Sequence, residues 1–235
     1  MAGETIKTEA ICLDIRPWSR TSHVVSWLTP SGKVSTVVKG AVRPKSQFLG
    51  QYDLNYTCEI LYYARGKGDL HALRECTPLD MRESLRGDFR ALALAGYCRR
   101  LVAELAPVGP DCRDWYALLG GSLSVSSGDY VRRLVVFELE VLRLAGLKPD
   151  FSGYDRQGEW SAFGIESGAF GAEADGRQIR ISKEVAEFLS KPTVIQKNPE
   201  IPLDAARVIG VFYQFHVDCA FDVRRSVLKL ISQTK

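Results

Sequence analysis

Three cations lie close together in the stretch 37–48, which reads VVKGAVRPKSQF. Lys39, Arg43 and Lys45 fall within seven residues, and the stretch contains no acidic residue. Lysine and arginine at this spacing can hold successive phosphates, because a nucleic-acid strand carries a charge every few ångströms. The pattern is therefore typical of a phosphate-binding loop. A solvated turn that keeps a small domain soluble is the alternative that composition leaves open.

The positive charge extends beyond this loop. Residues 15–52 contain six basic and no acidic residues, which favours a polyanionic partner although the net charge of the chain is only +3. Gly40 lets the backbone approach a ligand, and Pro44 restricts the path of the loop. Arg16, Arg20 and Lys33 would extend the basic surface if the fold brings strand ends together. The aromatic residues available for stacking on bases are Trp18, Phe48 and Tyr52.

The elements that must position these residues are strands. The segments 23–28 and 33–38 flank the turn sequence TPSG, and the segment 54–63 alternates with many aromatic and β-branched residues. About five strands fit into the first 76 residues, a length that suits a small closed barrel without open edges.

The periodicity changes at about residue 81. Leu85, Phe89, Leu92 and Gly96 recur at helical spacing, and this helix is expected to end before Pro107. Apolar runs at 131–147 and 204–221 predict further helices, the first ending at Gly146. We expect an α+β protein with a barrel domain at 1–80 and a helical bundle domain at 81–235. The Gly-rich stretch 150–180 has no clear period and is expected to be an irregular loop or a short β insertion.

Nothing in the sequence proposes catalysis. The three histidines have no partner at metal-ligand spacing, no nucleotide-binding or hydrolase motif is present, and the six cysteines occur singly. The expectations are no catalytic residue, no metal and no cofactor, with cysteines serving as buried thiols. The polar start of the chain and the lack of a long apolar run predict a cytoplasmic protein without a membrane partner.

The stretch from IKTEAICLDIR to CEILYY resembles the amino-terminal oligonucleotide-binding (OB-fold) barrel of the bacterial recombination mediator RecO family. The matching features are KTEAI, the turn with GK, and KGAVRPKS. FELEVLRLAGLKPDF and FDVRRSVLKLI resemble helices of the same family, so most of the chain outside about 152–180 is covered.

The resemblance implies a function and an association with the nucleoid. Members of this family bind single- and double-stranded DNA, anneal complementary strands, and act with RecR to load RecA onto DNA coated by single-stranded DNA-binding protein (SSB). By the motif match, the DNA-binding positions are Lys39, Arg43, Lys45 and Ser46, with Arg16, Arg20 and Lys33 inferred from location. The SSB carboxyl-terminal tail would dock on the helical domain near Arg132, Arg133 and Phe137, although Phe137 could equally be a core residue.

The chain departs from the family at one place. Many members carry two C-x-x-C pairs after the P-D element, whereas residues 151–176 here contain no cysteine. The resemblance therefore implies a zinc-free insertion, held by packing of Phe151, Tyr154, Trp160 and Phe163. Two other functions stay open at this stage: a non-catalytic scaffold whose basic loop binds an acidic protein, and a magnesium-dependent enzyme acting on nucleic acid.

Overall fold

The computed structural model of the chain describes residues 4–64, 69–124, 128–171, 176–193, 196–217 and 221–233. The chain divides into two compact units, Met1–Ser126 and Ser127–Lys235. The boundary expected near residue 80 marks the end of the strands in the first unit. The helices between residues 83 and 123 belong to the same unit as those strands.

Five strands open the first unit: β1 (Glu4–Ser19), β2 (Ser22–Thr29), β3 (Gly32–Val38), β4 (Thr57–Ala64) and β5 (Leu70–Asp80). They close into a barrel in the order β1-β2-β3-β5-β4. The β3–β5 pair is parallel and the other four pairs are antiparallel. The five-stranded barrel expected from the sequence is confirmed, and the closure leaves no open edge.

The hairpin between β2 and β3 forms where TPSG predicts it. Thr29 pairs with Gly32, so Pro30 and Ser31 make the turn. Gly32 has a φ of 148°, and a Cβ there would lie 2.7 Å from the carbonyl oxygen of Gly109. The position therefore requires glycine, both for its backbone angle and for its space.

The barrel core is built from residues that alternate along the strands. Trp27 is fully buried and its indole N–H donates a hydrogen bond of 2.9 Å to Thr36 Oγ1. Cys12, Cys58 and Cys76 are buried in the same cluster as free thiols. Burial raises the pKa of the Cys12 thiol well above its ordinary value, which makes the thiol an inert apolar group.

Three helices complete the first unit: α1 (Glu83–Arg86), α2 (Phe89–Leu105) and α3 (Arg113–Leu123). The carboxylate of Asp88 caps α2 by accepting hydrogen bonds from the N–H groups of Arg90 and Ala91. The helical spacing that begins at Leu85 is therefore broken at Gly87, and Leu85 belongs to α1 rather than to α2.

The second unit contains α4 (Tyr130–Leu144), α5 (Lys183–Ser190), α6 (Glu200–His216) and α7 (Phe221–Ile231). The end of α4 agrees with the prediction, because Gly146 follows it with a φ of 73°. The run 131–147 forms α4, as expected. The run 204–221 is helical only up to His216 in α6, and its residues 218–220 lie outside the described residues.

The stretch after α4 is a small sheet. Its strands are β6 (Trp160–Gly164), β7 (Ala169–Phe170) and β8 (Gln178–Ser182), in the order β7-β6-β8. The ring of Phe163 stacks on Phe151 at 4.8 Å between centroids and meets Phe170 at 5.2 Å, while Tyr154 lies 6.4 Å from Phe170. The expected aromatic packing is present, with Phe170 in place of Trp160, which is 53% exposed.

Candidate nucleic-acid interface

The loop with the predicted phosphate-binding residues runs from residue 39 to 56, between β3 and β4. Its inner side is anchored by Ala41 and Phe48, which are 3% and 8% exposed and belong to the barrel core cluster. Further along, the carbonyl oxygen of Gln51 accepts hydrogen bonds from the thiols of Cys58 and Cys76, each at 3.5 Å. The loop backbone is thus anchored to the barrel core by two buried side chains and two hydrogen bonds.

Within the loop, the chain makes a series of tight turns. The N–H of Arg43 donates to the carbonyl of Gly40 at 3.1 Å, that of Ser46 to Arg43 at 2.9 Å, and that of Leu49 to Ser46 at 3.3 Å. Gly40 has a φ of 68°, a left-handed angle that favours glycine. The loop is therefore ordered before any ligand binds, which lowers the entropic cost of binding.

Two neighbouring elements hold the loop at its sides. On one side, the N–H groups of Gly40 and Val42 donate to Ser22 Oγ at 3.2 Å and to the carbonyl of Thr21 at 3.4 Å. On the other side, Gln47 Nε2 donates to the carbonyl of Arg74 in β5 at 3.0 Å. The loop consequently lies between the β1–β2 turn and β5.

The cations of the loop point outward. Lys39, Arg43 and Lys45 are all exposed, and none of the ion pairs among the described residues involves them. By contrast, exposed Arg113 is paired with Asp111 at 2.9 Å. The loop therefore presents positive potential that no described carboxylate neutralises, which is the electrostatic requirement for binding phosphates.

Ser46, the fourth residue of the predicted loop site, has a local role. Its hydroxyl oxygen accepts a hydrogen bond of 3.2 Å from the N–H of Phe48. Ser46 is partly buried and helps to place the Phe48 anchor.

The structure brings one of the more distant cations to the loop. Arg20 is exposed in the β1–β2 turn, and the next residue, Thr21, is hydrogen-bonded to the loop through Val42. Arg16 lies earlier in the chain, within β1, where its Nε donates to Asp14 Oδ2 at 2.5 Å. The charge of Arg16 is partly neutralised, whereas no ion pair of the described residues involves Arg20.

Lys33 lies at the other end of β3. Six residue steps along the extended chain separate it from Lys39, about 20 Å at strand spacing. Its ammonium group donates a hydrogen bond of 3.1 Å to the carbonyl of Ala103 in α2, and partial burial lowers its pKa. Lys33 therefore joins the barrel to α2 and is not brought together with the loop.

Of the three aromatic residues that the sequence offers for base stacking, two have structural roles and one is exposed. Phe48 is buried, and the hydroxyl of Tyr52 is hydrogen-bonded to Nδ1 of His23 at 2.9 Å, while its ring packs edge-on against Trp27. Burial raises the pKa of Tyr52 far above its ordinary value. Trp18 alone of the three is exposed, at 61%.

The histidines have structural contacts. Beside the His23–Tyr52 bond, His71 stacks on the ring of Tyr62, and Nε2 of His216 donates to the carbonyl of Ile165 at 2.7 Å. Among the described residues, no group of three or more His, Cys, Asp or Glu side chains could hold a metal ion. No helix in the described part of the chain is long and apolar enough to cross a membrane.

Family models match nearly the whole chain. Residues 1–82 match the model of the recombination protein O amino-terminal region, and residues 86–224 match that of its carboxyl-terminal region. The chain belongs to the RecO family. It is a DNA repair protein of this family, as the resemblance of its motifs implied.

Individual RecO proteins align over much of the chain. The DNA repair protein RecO of Alkaliphilus metalliredigens (strain QYMF) is 29% identical over 91% of this chain and 94% of its own length. That of Roseiflexus sp. (strain RS-1) is 29% identical over 63% of this chain and 53% of its own. That of Rhodopirellula baltica (strain DSM 10527 / NCIMB 13988 / SH1) is 32% identical over 60% and 53%.

The RecO resemblance also assigned three residues of α4 to a partner peptide. Phe137 is 4% exposed and packs in the interior of the second unit. The guanidinium of Arg132 donates to the backbone carbonyls of Pro192, at 3.0 Å, and Thr193. Arg133 is partly buried, with its guanidinium 5.6 Å from the ring centroid of Tyr130. These contacts give Phe137 and Arg132 structural roles within the unit.

The sequence analysis does not identify one further cation beside the loop, Arg74. Arg74 is exposed on β5, its carbonyl accepts the bond from Gln47, and its guanidinium lies 5.8 Å from the ring centroid of Tyr63. The sequence signal is only the outward position of Arg74 in the alternation of LHALREC. Its place beside the loop depends on the pairing of β5 with both β3 and β4.

Proposed function

We propose that this DNA repair protein binds DNA through the outward cations of the 39–56 loop, with Arg20 at its border. The observation that carries the proposal is the three-cation surface of Lys39, Arg43 and Lys45, which no described carboxylate neutralises. The backbone beneath this surface is anchored by Phe48 and by hydrogen bonds to the β1–β2 turn. Such a surface contacts phosphates without reading bases, so binding is independent of sequence.

Annealing of complementary single strands follows from the same contacts. Two strands repel each other through their phosphates, and bound cations reduce that repulsion while released counterions add entropy. Contacts that are independent of sequence let the strands shift in register until they pair. No bond is made or broken, so the protein acts as a binding platform that needs no cofactor.

The wider role that we propose is that of a recombination mediator. The barrel would hold single- or double-stranded DNA, and the protein would act with RecR to load RecA onto DNA covered by SSB. The second unit would receive the acidic tail of SSB. The residues assigned to that tail are Arg132, Arg133 and Phe137. Phe137 is buried and Arg132 binds two carbonyl groups, so a substitution at either position also tests the packing of the unit.

The test is the salt dependence of DNA binding, measured by fluorescence anisotropy with a labelled single-stranded oligonucleotide. The variant Arg43→Gln/Lys45→Gln should flatten the slope of log affinity against log salt by ~1.4, about 0.7 for each lost phosphate contact. The variant should keep the wild-type unfolding curve, since both side chains are exposed.

Arg180→Gln/Lys197→Gln is the matched control, with the same charge change at two exposed positions of the second unit. An equal loss in this control would mean that net charge rather than the loop governs binding. No DNA binding at low salt, together with binding of an acidic peptide, would support the scaffold function instead. Cleavage of the oligonucleotide with magnesium would support an enzyme.

A further inference from the structure

The end of β1 contains a β-bulge at Trp18. Pro17 pairs with His23 and Ser19 pairs with Ser22, so β1 advances two residues where β2 advances one. Trp18 is the extra residue and has no partner across the ladder. A bulge of this kind re-aims the side chain of its extra residue and increases the local twist.

The bulge exposes a large aromatic side chain that the barrel core does not use. Trp18 is 61% exposed, whereas Trp27 and Trp115 are 0% and 5% exposed. In the described part of the chain, no other ring or guanidinium group stacks against Trp18. An exposed indole whose face is not covered by another ring can stack with a planar group of a ligand.

The surroundings of Trp18 are those of the basic loop. Arg16 and Arg20 lie two residues before and after it, and both are exposed. The turn that follows Trp18 is hydrogen-bonded to the loop by the Ser22–Gly40 and Thr21–Val42 contacts. A strand whose phosphates follow the cations would therefore carry its bases past an exposed indole.

We propose that Trp18 is a stacking platform for unpaired bases of single-stranded DNA. The inference rests on the proposed function, because the cations must hold the backbone nearby. Every base has a π-face, so stacking adds affinity without sequence preference. In a duplex the base faces are already stacked on one another, so Trp18 makes the surface prefer single strands.

The test compares Trp18→Ala and Trp18→Phe with the wild type, using labelled oligo-dT, an abasic oligonucleotide of the same length and a blunt duplex. Trp18→Ala should weaken oligo-dT binding roughly 5- to 150-fold, the effect expected for one stacked base. Its affinity for the abasic strand and the duplex should stay at wild-type values, and the salt slope should not change. Trp18→Phe should recover most of the affinity.

Intrinsic fluorescence gives an independent readout. Oligo-dT should quench wild-type emission, and the quench should disappear in Trp18→Phe but persist in Trp160→Phe, which removes the exposed tryptophan of the other unit. Equal binding of oligo-dT by Trp18→Ala and wild type would overturn the inference while leaving the proposed function standing, and so would an equal loss on duplex. If the wild type binds none of the three probes, both fail together.

Discussion

At the residue scale, the second unit contains a buried ion pair. Glu138 and Arg224 are 0% and 5% exposed, and their side chains form two hydrogen bonds of 2.7 and 2.9 Å. Arg224 also donates to the carbonyl of Ala206 at 2.7 Å. Gly210 leaves the space that the guanidinium needs, since a Cβ there would lie 2.4 Å from an arginine nitrogen. The pair joins α4 to α7.

Removal of one partner should therefore be costly. We expect Arg224→Met to lower the free energy of unfolding by about 3–5 kcal/mol, because it leaves a buried carboxylate without its counter-ion. Arg207→Met is the control, because the Arg207–Asp204 pair is exposed and exposed pairs contribute about 0–1 kcal/mol. Urea denaturation followed by circular dichroism measures both. A loss for Arg224→Met no larger than that of the control would show that the buried pair does not stabilise the unit.

At the element scale, the small sheet β6–β8 depends on aromatic packing. Phe163 is fully buried and contacts both Phe151 and Phe170. These rings lie in the stretch 151–176, which contains no cysteine. The stability of this insertion should therefore come from apolar burial rather than from a metal.

This difference can be measured directly. Phe163→Ala should lower the free energy of unfolding by about 3–5 kcal/mol, the usual cost of removing a buried phenylalanine ring. Addition of EDTA to the wild type should leave the unfolding curve unchanged. Trp160→Ala, at an exposed position of the same strand, should lower the free energy of unfolding by much less than Phe163→Ala does. A fall in melting temperature on addition of EDTA would contradict the prediction that the insertion contains no structural zinc.

For α2, the sequence predicts the helix correctly but predicts the wrong face to be buried. The spacing of Phe89, Leu92 and Gly96 correctly indicates a helix. In the structure, however, Phe89 and Leu92 are 71% and 41% exposed, while the buried side includes Ala91 and Leu94. Two overlapping apolar patterns fit one helix, and packing against the rest of the unit decides which one is buried.

At the scale of the whole molecule, the two proposed binding activities lie on separate compact units. The cationic loop belongs to the first unit, and Arg133 belongs to the second. Variants in one unit should therefore leave the activity of the other intact.

We expect Arg43→Gln/Lys45→Gln to lose DNA affinity and keep wild-type affinity for a labelled SSB-tail peptide. Arg133→Gln should do the reverse, with Arg180→Gln as the control of equal charge in the same unit. Anisotropy with the two labelled probes measures both affinities on the same samples. Loss of both activities in either variant, without loss of folding, would mean that the two ligands share one surface.

Local sequence patterns account for many elements of this fold. Alternation and the TPSG turn define the β2–β3 hairpin, Gly146 ends α4, and the clustering of Lys39, Arg43 and Lys45 places the cations on one loop. These features depend on residues close together in the chain, whose turn chemistry and periodicity act locally. The KGAVRPKS motif is also a local feature, and it indicates the family.

The tertiary structure decided which residues share a surface. Arg20 joins the loop and Lys33 faces α2, although Lys33 is much closer to the loop in the sequence. Trp18 is exposed by a bulge, while Phe48 and Phe137 are buried. Barrel closure, strand register and helix packing are set by contacts between distant segments. A local pattern cannot report those contacts, because burial of the whole chain selects among alternatives that are locally equivalent.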